Sequence, residues 1–141
     1  MTGILFICHG NICRSPMAEM ILRKLVQDAG REAEFVIESC ATSTEEIGHD
    51  VYPPARRMLE AHGVPCPSRA ARRLTAADYE RFDRLICMEQ YNLRNALQLL
   101  GGDPEHKLSL LLRDRDVDDP WYSGDFGTAY RDIEEGCRRL L

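Results

Sequence analysis

The stretch "GILFICHGNICRSPMAEMILRKLVQDAG", residues 3–30, changes its hydrophobic period once, and that change decides the fold. "GILFICH" (3–9) is a continuous apolar run of strand length, the pattern of a strand buried on both faces. From Pro16 onward, Met17, Met20, Ile21 and Leu25 fall on one helical face, with proline in the first turn and Gly30 as a stop. A buried strand, a short polar loop and an amphipathic helix in that order open a parallel sheet built from crossover units.

The same alternation continues outward. "EFVIESC" (34–40) reads as a second strand, and "PPARRMLEAHG" (53–63) as a helix entered by proline and ended by glycine. "TAADYERF" (75–82) reads as a short helix capped by Thr75, with Asp78 three residues on. "DRLICM" (83–88) is a third strand, "EQYNLRNALQLLGG" (89–102) a helix, "KLSLLL" (107–112) a fourth strand, and a closing helix runs from about Asp125. The expected class is α/β, a four-stranded parallel sheet with helices on both faces, in a single domain spanning residues 1–141.

Composition narrows the function. At 141 residues and 44% hydrophobic, the chain has the size of one ordinary core. A net charge of −5 speaks against a nucleic-acid partner, which needs a basic face, so any phosphate affinity is local. No run approaches the roughly 18 apolar residues of a bilayer span, and "MTGILFI" has neither a basic region nor a cleavage site. The expectation is a cytoplasmic protein with no membrane partner, its six cysteines reduced.

Ligands of open parallel sheets sit at the carboxyl ends of strands, and two irregular stretches fall there: "CHGNICRSP" (8–16) and the carboxylate-rich "RDRDVDDPWYSGD" (113–125). A free thiol, with a pKa near ~8.5, needs help to react as the thiolate at neutral pH. Backbone N–H groups in a tight loop, a helix N-terminus near Ser15 and the Arg14 guanidinium would all favour negative charge at Cys8. The same groups would cradle a tetrahedral dianion, with Arg14 as a bidentate fork. The five residues His9, Gly10, Asn11, Ile12 and Cys13 allow one wrap around that anion. Gly10 is expected to supply a backbone without a Cβ where the loop needs a positive φ, Asn11 to tolerate a left-handed conformation while its amide pins the loop from behind, and Ser15 to cap the helix or hydrogen-bond the thiolate. A zinc clip through Cys8, His9 and Cys13 has no second paired set of ligands, and neither nucleotide fingerprint occurs. No metal and no cofactor is expected.

"CHGNICRSPMAE" after an apolar strand resembles the signature of the low-molecular-weight protein tyrosine phosphatases. The similarity extends through "ESCATSTEEIG", "FDRLICMEQYNL" and "DDPWYSGDF", nearly the whole chain. The resemblance implies the phosphotyrosine protein phosphatase I-like fold, doubly wound with flavodoxin-like topology. It also implies hydrolysis of phosphotyrosine in proteins, and of small aryl phosphates, through a phosphocysteine at Cys8. Arg14 would bind the phosphoryl oxygens, Asn11 and Ser15 organise the loop, and phosphate would be product and inhibitor. The family's general acid lies in an Asp-Pro pair followed by aromatics, hence Asp119, with Asp118 the one serious rival. One carboxyl group can protonate the leaving phenolate and then activate water, and Pro120 biases Asp119 toward an extended backbone.

Family members with a second loop cysteine use it for reversible inactivation, which gives Cys13 a redox role; Cys40, Cys66, Cys87 and Cys137 read as packing residues. Tyr122, beside Trp121, is expected to wall a slot for an aryl ring. Many relatives carry an aromatic in the segment aligned with "STEEIG", where this chain has Glu45 and Glu46, so basic-flanked substrates are favoured. The family's aspartate after the strand-three methionine is Glu89 here, and no role is carried onto it. Of the rival chemistries, thioredoxin-coupled arsenate reduction needs two further relay cysteines after the third strand, where only Cys87 stands. In phosphoarginine phosphatases the position of Ile12 is threonine, and isoleucine suits an aryl ring better than a guanidinium.

Overall fold

The computed structural model describes residues 1–141. Strands β1 (Thr2–Cys8), β2 (Phe35–Ala41), β3 (Arg84–Cys87) and β4 (Leu108–Leu110) form one parallel sheet in the order β2-β1-β3-β4. Helices α1 (Arg14–Asp28), α2 (Pro53–Ala61), α3 (Ala76–Arg81), α4 (Gln90–Leu100), α5 (Pro120–Ser123) and α6 (Phe126–Arg138) cover it, with a 3₁₀ turn at Glu32–Glu34. This order is the flavodoxin-like winding, whose direction reverses beside β1, and the ligand site of such a fold lies at that reversal.

The continuous apolar run of β1 has its cause in the layers. Ile4 and Phe6 point into the larger core with Met17, Ile21, Leu22, Leu59 and Ile133, the side of α1, α2 and α6. Leu5 and Ile7 point into the smaller core with Tyr79, Phe82, Leu85 and Ala96, the side of α3 and α4. Every residue of β1 after Thr2 is buried. Alternate side chains of a strand leave on opposite faces, so a strand covered on both has no polar position.

The boundaries expected from sequence fit with small differences. Helix α1 begins at Arg14 rather than Pro16, because Cys13 occupies the N-cap. Thr75 caps α3, and the Asp78 carboxylate accepts from the Thr75 N–H at 2.8 Å and its hydroxyl at 3.1 Å. The stretch 113–125, expected to be wholly irregular, contains the single turn α5, capped by Asp119 and ended by Gly124 at φ 74°. No helix is long and apolar enough to cross a membrane.

Candidate active site

Cys8 is the last residue of β1 and only 3% exposed. Its Sγ lies 2.9 Å from Ser15 Oγ and accepts the Asn11 N–H at 3.2 Å. The loop turns sharply because Asn11 is left-handed, φ 59°, a conformation asparagine tolerates better than most residues. Gly10, expected to supply the positive φ, does not; its lack of a Cβ instead admits Glu46, whose Cγ would stand 3.3 Å from one. Ser15 does not cap α1. It sits inside the first turn, where its Oγ accepts Asn11 Nδ2 at 2.8 Å and faces the Cys8 sulfur. Asn11 Nδ2 also donates to Ser39 Oγ at 2.9 Å, and Ser39 donates to Glu19 Oε1 at 2.5 Å, a polar seam beneath the loop.

Arg14, 2% exposed, donates from Nη1 to the Val117 carbonyl at 2.9 Å and from Nη2 to Glu89 Oε1 at 2.9 Å and Asp119 Oδ2 at 3.3 Å. Burial works against its charge, but a Cys8 thiolate, the Glu89 bond and the Asp119 carboxylate outweigh that, so its pKa lies above the ordinary guanidinium value. Asp119 caps α5, its Oδ1 accepting the Trp121 N–H at 3.0 Å while Oδ2 turns toward Arg14. Asp118 is exposed and outside the cleft. The Asp-Pro pair therefore fixes Asp119 at the start of a helical turn, rather than leaving it free on a loop.

The cleft above the sulfur opens to solvent and is lined by the loop Cys8–Arg14 together with Glu45, Glu46, Asp119, Trp121 and Tyr122. Glu45 Oε2 lies 3.0 Å from His9 Nε2, and the imidazole faces the Tyr91 ring at 6.0 Å between centroids. Glu46 bonds His49 Nδ1 at 2.5 Å. Across the cleft Trp121 packs on Tyr52 at 4.8 Å between ring centroids, while Tyr122, also on the cleft lining, is 85% exposed. Ile12 is buried with Cys13 and Ala71, against Tyr52 and Phe126.

The thiols separate by environment. Burial, and then the nearby Cys8, push the Cys13 thiol up to about 12. Burial likewise raises Cys40, Cys66, Cys87 and Cys137, so these four remain protonated packing groups. No three His, Cys, Asp or Glu side chains converge as metal ligands would. Sequence reasoning missed Glu89 and Val117 as partners of Arg14, and Arg69, whose Nη1 donates to the Asn11 carbonyl at 2.7 Å. Two signals for Glu89 were available: a carboxylate at the position where the resembled family carries an aspartate, and its place just past β3, the strand beside β1, at the sheet edge that carries Cys8.

The fold and this geometry define a class: a doubly wound α/β protein with a cysteine-to-arginine loop at its switch point. The chain belongs to the low molecular weight phosphotyrosine protein phosphatase family, whose model matches residues 3–141. It is 36% identical to the human low molecular weight phosphotyrosine protein phosphatase over 155 aligned positions, covering 99% of this chain and 93% of that one. The crystal structure of YfkJ from Bacillus subtilis superposes with a TM-score of 0.95 at 33% identity, over 100% of this chain and 92% of that one. A Drosophila arginine phosphatase superposes with a TM-score of 0.89 at 30% identity, over 100% and 96%.

Proposed function

We propose that the protein hydrolyses phosphotyrosine in proteins, and small aryl phosphates, through a phosphocysteine at Cys8. The observation that carries this reading is the convergence on one cleft of a sulfur that accepts the Asn11 N–H and faces the Ser15 hydroxyl, a buried guanidinium and a carboxylate. In the first step the Cys8 thiolate attacks phosphorus, the bond from phosphorus to the phenolic oxygen breaks, and Asp119 gives that oxygen its proton. In the second, Asp119, now a carboxylate, takes a proton from water as the water oxygen attacks phosphorus. The phosphorus–sulfur bond breaks, inorganic phosphate leaves and the thiolate returns. Arg14 and the loop N–H groups neutralise the charge spread over the equatorial oxygens.

The buried, apolar Ile12 beside Tyr52 and Phe126 favours an aryl ring over a guanidinium, which would need polar partners at that depth. The name of the Drosophila relative makes phosphoarginine the substrate to run alongside. At the mouth, Glu45 and Glu46 favour basic residues flanking the phosphotyrosine, and the 68% exposed Glu45 side chain makes that preference sensitive to salt. Cys8→Ser should abolish turnover. Asp119→Ala should slow aryl phosphates with poor leaving groups far more than those with good ones. Equal losses on both series would remove Asp119 from the acid role, and faster turnover of phosphoarginine than of phosphotyrosine would replace the substrate assignment.

A further inference from the structure

We propose that Arg69 is a positioning residue for this site: by gripping two oxygens of Asn11 it fixes the turn and the amide orientation that aim donors at the Cys8 sulfur. The inference rests on the reading of Cys8 as nucleophile. Arg69 lies on neither helix nor strand, in the connection between α2 and α3. That connection is strapped down at several points. Ala71 N–H donates to the His49 carbonyl at 2.7 Å, Gly48 N–H to the Ala71 carbonyl at 2.9 Å, and Ala41 N–H, at the end of β2, to the Arg72 carbonyl at 2.7 Å. The Arg69 N–H is itself held by Asp50 Oδ1 at 3.2 Å.

From this mount the guanidinium reaches the loop from behind. Nη1 donates to the Asn11 carbonyl at 2.7 Å, and Nη2 donates to Asn11 Oδ1, which also accepts the Arg72 N–H at 3.2 Å. A planar fork that satisfies a main-chain and a side-chain oxygen of one residue holds both its backbone rotation and its amide. Turning that amide over would set its NH₂ against the guanidinium donors and the Arg72 N–H. Held as it is, Nδ2 donates to Ser15 Oγ at 2.8 Å and to Ser39 Oγ at 2.9 Å. Ser15 Oγ is thereby an acceptor toward Asn11, and its own proton has two acceptors within reach, the Cys8 sulfur at 2.9 Å and the Cys40 carbonyl at the longer 3.5 Å, of which a thiolate is the stronger. The backbone half of the grip works in parallel: the left-handed Asn11, unfavourable for a residue with a Cβ, directs its N–H onto the same sulfur at 3.2 Å. Two donors to one sulfur thus depend on a side chain 58 positions along the chain from the loop.

The test compares Arg69→Met and Arg69→Lys with the unaltered enzyme. The measurements are kcat and KM on an aryl phosphate, the pH profile of Cys8 alkylation by iodoacetate, and the melting temperature. Loss of charge-assisted bonds of this kind predicts a roughly ten- to hundredfold fall in kcat for Arg69→Met. Its alkylation profile should move to higher pH, with partial recovery on adding free guanidine. Arg69→Lys, a point charge that serves one oxygen at a time, should fall between the two. An unshifted alkylation profile in Arg69→Met overturns the proposal, whether or not its melting temperature falls, because a purely structural role lowers stability without moving the thiol. Activity surviving in Cys8→Ser would instead defeat the reading of the nucleophile. An inactive Cys8→Ser beside a fully active Arg69→Met would defeat only the role of Arg69.

Discussion

Removing the Glu89 side chain tests whether Arg14 is held in place or merely present. Arg14 is 2% exposed along its side chain and Glu89 24%, so the bond between them at 2.9 Å is shielded from the screening that weakens surface pairs. A hydrogen bond between charged groups contributes about 1.5–3 kcal/mol. Breaking half of a buried pair can cost more, but Arg14 keeps the Val117 carbonyl and Asp119, so the lower part of the range applies. Glu89→Ala should therefore destabilise the fold by about 2 kcal/mol, which for a domain of this size lowers the melting temperature by roughly 5–10 °C. On the proposed mechanism a guanidinium with fewer fixed partners would also meet the phosphoryl group less well, and 1.4 kcal/mol of lost orientation is about tenfold in kcat/KM. Glu89→Gln keeps an acceptor of the same length without the charge, and about half of each loss is expected. Urea titration gives the stability, and initial rates on an aryl phosphate give kcat/KM. If Glu89→Ala unfolds at the wild-type urea concentration and keeps wild-type kcat/KM, Glu89 does not hold Arg14 and the argument fails.

At neutral pH, iodoacetamide should label Cys8 alone, since burial holds the Cys13 thiol at about 12; mass spectrometry showing both labelled at equal rates would contradict this. Peroxide should oxidise Cys8 first and then close a disulfide to Cys13 that dithiothreitol reopens, whereas sulfonic acid at Cys8 as the sole product would exclude the pair. Burial works to raise the Asp78 pKa, but the bonds from Arg72 and Thr75 outweigh it and leave it lowered. Its stabilisation is present above the ordinary value of 3.8 and is lost as pH falls through the lower folded value, so Asp78→Asn should flatten the acid limb of urea midpoint against pH. Glu19, raised chiefly by burial, has the opposite sign: stability declines as pH rises from 4.5 to its folded value, and Glu19→Gln should remove that decline. Acidic-flanked phosphotyrosine peptides should show lower kcat/KM than basic-flanked ones, the gap closing in salt; equal values would release Glu45 and Glu46 from that role.

What the sequence made legible is what neighbours along the chain encode. The unbroken run of β1 gave a two-sided strand, Thr75 and Asp78 gave a helix start, and "CHGNICRSP" put the thiol and the guanidinium in one loop. Local rules erred where tertiary demands intervened. Gly10 has no positive φ and instead lies close to the Glu46 side chain, while the left-handed turn falls on Asn11, the other residue of the loop suited to it. One turn of helix after Asp119 has no period to detect. The residues that orient the site were invisible for a different reason. Glu89 meets Arg14 across 75 positions and Arg69 meets Asn11 across 58, and no spacing rule links groups brought together only by the winding of the sheet.

Cys8 is mounted on β1, paired with β2 on one side and β3 on the other, whereas Glu45 and Glu46 stand on the connection after β2, and Trp121 and Tyr122 on the single turn α5, all outside the sheet. Backbone amides in β1 should consequently exchange with solvent only when the whole domain opens, while those of the surrounding connections exchange through local fluctuation. The two populations can change independently over evolutionary time. Insertions and substitutions in the connections can redirect the enzyme to a new phosphorylated segment while the strand beneath continues to present the same sulfur at the same depth.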